Sequence, residues 1–61
     1  MEDVKAYLLE RKKEIEEDIK KAKEMIGLAR KMGFNVAELE ADLARYEAQL
    51  KRIEQALKEA K

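Results

Sequence analysis

Six residue types are missing from these 61 residues: cysteine, histidine, serine, threonine, proline and tryptophan. Four of these absences close off a class of chemistry. Without cysteine there is no disulfide, no thiol nucleophile and no thiolate metal site. Without histidine there is no imidazole base and no usual transition-metal ligand. Without serine or threonine the only side-chain hydroxyls belong to Tyr7 and Tyr46, which leaves little for nucleophilic catalysis. The two glycines, Gly27 and Gly33, are too isolated to form a phosphate-cradling loop. Apolar runs are short, far from the roughly 18 residues of a membrane span, and none has the form of a signal-peptide core. The expectation is a soluble, non-catalytic chain with no cofactor, no metal, no membrane partner and no targeting signal (cytoplasmic if natural).

What is present is narrow. Ala, Leu, Glu, Lys and Arg fill 41 of the 61 positions, and 46% of residues are charged. Such a composition belongs to long helices and coiled coils. Fourteen basic and fourteen acidic groups cancel over the chain. They cancel locally too: residues 1–32 carry nine and eight, residues 33–61 five and six. A nucleic-acid binder needs a surplus of positive charge or a basic stripe. The densest basic cluster, Arg11-Lys12-Lys13, is flanked by Glu10, Glu14, Glu16 and Glu17. It reads as a solvated, salt-bridged face, and nucleic acid is not expected as a partner.

One segment breaks the helical pattern. Gly33 suits the left-handed position just past a helix end. Asn35 suits an N-cap, with Glu38 three residues on as in a capping box, and Phe34 can pack on Leu39 as a hydrophobic staple. The reading is an all-α, antiparallel two-helix hairpin, about 2–32 and 36–60, forming one unit over 1–61 with its turn at 33–35. Acidic residues open each helix and basic residues close it, which complements the helix dipole. Spaced pairs Glu16–Lys20, Glu17–Lys21, Glu47–Lys51 and Glu54–Lys58 are candidate surface ion pairs. Gly27 inside the first helix costs roughly 1 kcal/mol against alanine unless another helix approaches closely there.

The second helix carries Val36, Leu39, Leu43, Tyr46, Leu50, Ile53, Leu57 and Ala60, spaced alternately three and four residues apart. That is a coiled-coil seam. The first helix carries Val4, Leu8, Ile15, Ile19, Ala22, Ile26 and Ala29, interrupted at Arg11 and Lys12. Folding back at 33–35 sets Ala29 against Leu39, Ile26 against Leu43, Ala22 against Tyr46, Ile19 against Leu50 and Ile15 against Ile53. A competing register is one straight helix, because Leu8, Ile15, Ala22, Ala29, Val36, Leu43, Leu50 and Leu57 form an unbroken seven-residue ladder. That rod would place Arg11 and Asp18 in its seam and strand Phe34, so the hairpin is preferred. The near-match lowers the cost of a straightened, domain-swapped form.

Two helices alone make a poor core, and small chains without disulfides or metal usually need a partner. Further apolar surface is present. Tyr7, Leu9, Met25, Leu28 and Met32 widen the first helix's stripe, and Ala41, Ala44 and Ala48 form a second stripe on the other helix. The expected partner is a second copy, in a homodimeric four-helix bundle, with a higher oligomer as the alternative. The self-association core is then Leu8, Ile15, Ile19, Ile26, Leu39, Leu43, Tyr46, Leu50, Ile53 and Leu57. No acid occupies the central seam positions of the second helix, unlike the inward-facing Glu and Glu-x-x-His sets of di-metal bundles. Tyr46 is read as a core aromatic with a wet hydroxyl.

The hairpin and expected dimer are similar in architecture to the Rop type of RNA-binding helical hairpin, without a matching motif. The Gly33-Phe34-Asn35 connection, the Ala/Glu/Lys/Arg-filled outer faces and the heptads of 36–60 more closely resemble de novo designed or idealised helical hairpins. Met25, Met32, Gly27 and the Arg11-Lys12 interruption depart from the idealised pattern. The resemblance implies a self-associating scaffold or oligomerisation module. The alternative is a module that presents a helix face to a partner protein's helix, with Rop-like RNA binding behind it.

Overall fold

The computed structural model describes residues 2–59. Helix α1 runs Glu2–Lys31 and helix α2 runs Ala37–Glu59, and the two pack against each other as a hairpin. Both boundaries fall within a residue or two of the sequence reading; Ala60 lies outside the described residues. The straight-rod register is not adopted.

The turn shows why. The Gly33 N–H donates to the Arg30 carbonyl at 3.0 Å, and the Phe34 N–H donates to the Ala29 carbonyl at 2.9 Å. These two bonds are the paired closures of a Schellman motif, which satisfies carbonyls that α1 would otherwise leave open. The motif requires a left-handed residue, and Gly33 supplies it at φ 79°. On the far side the Asn35 Oδ1 accepts from the Ala37 N–H at 2.9 Å. The first backbone bond of α2 runs from the Glu40 N–H to the Val36 carbonyl at 2.8 Å. Asn35 therefore caps from one residue further out than the spacing suggested. Among the described residues Glu38 makes no return bond, so the capping box is only half realised. Phe34 is exposed rather than stapled under the helix.

The two glycines invite opposite substitutions. A Cβ at either would meet nothing within 4 Å, so backbone conformation alone decides the outcome. Gly27→Ala should stabilise the hairpin by about 1 kcal/mol, because the site is an ordinary helix interior. Gly33→Ala should cost about 1–2 kcal/mol, the penalty of a left-handed L-residue, and should shift molecules toward the straightened form. Urea unfolding reads the first effect. Small-angle scattering reads the second: Gly33→Ala dimensions equal to those of the parent would refute the straightening.

Among the described residues two ion pairs cross between the helices, one near each end. Arg30 pairs with Glu40, and Lys12 pairs with Glu54 at 3.8 Å. They bracket the expected register, with Ile15 and Ile53 lining one shared hollow and Ala22, Leu39 and Tyr46 lining another. Lys12 explains the interrupted stripe. It is half-buried, so its methylenes cover the seam while its ammonium reaches Glu54. The remaining pairs are local, Arg11 to Glu14 at 3.2 Å and Arg45 to Asp42. None of the four pairs expected at i,i+4 spacing is in place; holding long exposed side chains together gains too little to offset their entropy.

The seam buries few residues completely. Ile15 is 1% exposed and Ile26 7%, and they are the only described hydrophobic residues that reach full burial. Burial of each contributes about 1.5–3 kcal/mol. Every seam residue of α2 stays half-exposed, because a single neighbouring helix covers only one side of it.

Candidate functional site

A two-helix hairpin is a plate with two broad faces, and the sequence decides what each presents. At about 100° per residue, Tyr7 and Met25 lie roughly 80° to one side of Ile15, with Leu28 and Met32 further round. Leu9 and Gly27 lie about 120° to the other side. Tyr7 and Leu9 thus widen the stripe of α1 on opposite sides.

The two faces differ. Arg30–Glu40 and Lys12–Glu54 span the seam on the Leu9 side and close it with charge. The other side is open. A shallow groove there is lined by Asp18, Lys21, Ala22 and Met25 from α1 and by Leu39, Asp42 and Tyr46 from α2. It continues toward the open end of the hairpin past Gln49, Arg52 and Ile53, with Arg11 and Ile15 opposite. No cationic side chain bridges this side to an acid on the other helix among the described residues, so the seam remains accessible to a third helix.

The residues singled out by spacing divide cleanly by exposure. Of the ten self-association candidates, Ile15 and Ile26 are buried, and Leu8, Ile19, Leu39, Leu43, Tyr46, Leu50, Ile53 and Leu57 are half-buried. The second-face candidates Tyr7, Leu9, Met25, Leu28 and Met32 are 50–66% exposed. Ala41, Ala44 and Ala48 are exposed on the side of α2 away from the seam. Met25 alone among the second-face candidates reaches the groove wall itself; Leu28 and Met32 extend its apolar strip along α1 toward the turn.

The polar row of the groove's α2 wall is missed at the level of sequence, although its apolar members Leu39, Tyr46 and Ile53 are among the seam residues. Asp42, Arg45, Gln49 and Arg52 stand three, four and three residues apart, the same helical spacing as the seam one position over. Reading for apolar residues alone passes over them. The signal is periodicity in a polar row, visible once the seam direction is fixed.

The chemistry available on this surface is limited. Among the described residues no group of three or more acidic side chains is gathered as a metal ion would require. No helix is long and apolar enough to cross a membrane. No protein-family model, curated protein or solved structure matches this chain.

Proposed function

We propose that this hairpin is a non-catalytic self-association module, one half of a homodimeric four-helix bundle. The supporting observation is surface left uncovered. A compact monomer of 7.1 kDa would expose about 4,100 Å², and the chain exposes 5223 Å². The excess, roughly 1,100 Å², is more than the ~800 Å² that each partner contributes to a stable interface. Shape agrees: the Cα radius of gyration is 14.3 Å, against about 10.5 Å for a compact domain of this length. Among the described residues seven large apolar side chains share the uncovered surface, from Leu9 at 50% to Tyr7 at 66% exposure. Pairing two plates covers such surface and completes the burial of the α2 seam.

Equilibrium ultracentrifugation tests the reading. The expected result is a dimer of about twice 7.1 kDa at micromolar concentration. A folded species that stays monomeric up to millimolar concentration would overturn it.

The second reading, a heterologous partner helix laid in the groove, draws on the Met25 wall, since methionine-rich surfaces adapt to varied partners. It predicts a monomer that dimerises only with that partner. RNA binding of the Rop type gains no support from the balanced charge of either helix. A catalytic reading has no thiol, imidazole or aliphatic hydroxyl to draw on.

A further inference from the structure

We infer that the second copy lies on the groove face upside down, with its turn at the opposite end and α1 running along its own symmetry mate. This arrangement rests on the self-association reading above and specifies its geometry.

Two closed two-fold arrangements stack the plates face to face. In one the axis runs along the helices, both turns lie at the same end, and α1 packs on α2 of the other copy. In the other the axis crosses the helices, the turns lie at opposite ends, and α1 packs on α1. The groove face distinguishes them because its large exposed apolar residues are confined to one helix, the α2 residues Leu39, Tyr46 and Ile53 being half-buried. Tyr7, Met25, Leu28 and Met32 are all on α1, while α2 presents Asp42, Arg45, Gln49 and Arg52.

With turns together, Met25 and Leu28 would lie on Asp42 and Arg45 of the second copy. Exposed apolar surface would then be spent covering charges, and Lys21 would approach Arg45 of that copy. With turns apart, the pairing follows from counting along α1. Tyr7 and Leu28 are equidistant from a point between Glu17 and Asp18, and so are Glu14 and Lys21. A two-fold axis at that point sets Tyr7 against Leu28 and Glu14 against Lys21, each twice. Tyr7 then falls among Met25, Leu28 and Met32 of the second copy and Glu14 meets Lys21, while Glu10 and Asp3 stand level with Met25 and Met32 of that copy. Arg11 of the second copy then comes within about 9 Å along the axis of Asp18, within reach of a long guanidinium side chain. On α2 the same axis sets Arg45 near Ala56 and Gln49 near Arg52, with the two Arg52 residues about 4.5 Å apart along the axis and exposed enough for their long side chains to splay toward solvent. The Cα envelope of the plate is 48 by 14 Å, a face of roughly 700 Å² that matches the ~800 Å² scale of one side of a stable dimer.

The groove face also leaves Gly27 and Leu9 outside the interface, since both lie toward the ion-paired side. Gly27→Ala is therefore compatible with assembly.

The chain has no cysteine, so one introduced thiol gives one label per copy. Lys31 is exposed and points away from the seam, and Lys31→Cys carrying a nitroxide reports the separation of the two turns by pulsed electron–electron resonance. With turns apart, the labels are on the order of 40 Å apart or more, from 1.5 Å per residue along α1. With turns together they are within about 25 Å, the width of a bundle plus two label arms. Ultracentrifugation of the same labelled sample separates the two layers of the argument. A dimer with the long distance supports the inverted arrangement. A dimer with the short distance overturns that arrangement while leaving self-association standing. A monomer at all concentrations removes both.

Discussion

Ile15→Ala should lower the free energy of unfolding by about 2–5 kcal/mol, toward the upper end of that range. Ile15 is 1% exposed, the largest side chain that the hairpin buries fully. Its removal loses transfer energy and leaves a cavity between two helices that cannot both relax into it. A domain of this length holds only about 3–9 kcal/mol in total, so most of the stability is at stake. Leu50→Ala is the informative comparison. Leu50 occupies the middle of the α2 seam but is half-exposed, so within one hairpin its truncation should cost about 2 kcal/mol, the low end of the range. Urea unfolding followed by circular dichroism, at one fixed protein concentration, measures both. An Ile15→Ala loss below about 1 kcal/mol would contradict the packing described here. Equal losses at Ile15 and Leu50 would mean that assembly buries Leu50 as deeply as Ile15.

That comparison marks where sequence periodicity informs and where it stops. The alternation of three and four along Val36 to Leu57 is a property of the helix itself, and it located the α2 seam because side chains so spaced share one face. The turn was equally legible. Only glycine takes the left-handed angle cheaply, and Gly33 stands where the two closing hydrogen bonds need it. Burial depth was not legible. Leu50 and Ile15 look alike in a heptad, but Ile15 lies under the other helix while the α2 residues keep one side in water. Periodicity gives the direction of a side chain, whereas burial depends on how many neighbours arrive from that direction.

The charged residues carry the same lesson at longer range. Glu16–Lys20 and its three analogues satisfy the i,i+4 rule, but the pairs that form across space are Arg30–Glu40 and Lys12–Glu54. These contribute little to stability at such exposure. Their consequence is asymmetry: they occupy one rim of the seam and leave the other free. No local rule shows that Lys12, a break in the stripe, is also part of the closed rim. That follows only when Glu54 is brought beside it by the fold.

The open rim makes the last prediction the one with the largest effect on assembly. Met25→Lys/Leu28→Lys should raise the dissociation constant of the proposed dimer by about 100-fold or more, because four charges enter a surface that the inverted arrangement covers with Tyr7 of the second copy. The hairpin itself should tolerate the change. Both positions are more than half exposed, lysine matches methionine and leucine in helix propensity, and the C-terminal part of α1 favours positive charge. The parent should show a melting temperature that rises with protein concentration, as mass action requires of a dimer; the variant should lose that dependence while keeping its helical signal when dilute. Ala44→Lys/Ala48→Lys places the same charges on the alanine stripe, away from the groove, and should leave association unchanged. If the alanine variant dissociates and the groove variant does not, the copies meet back to back through the small residues, and the groove belongs to another partner.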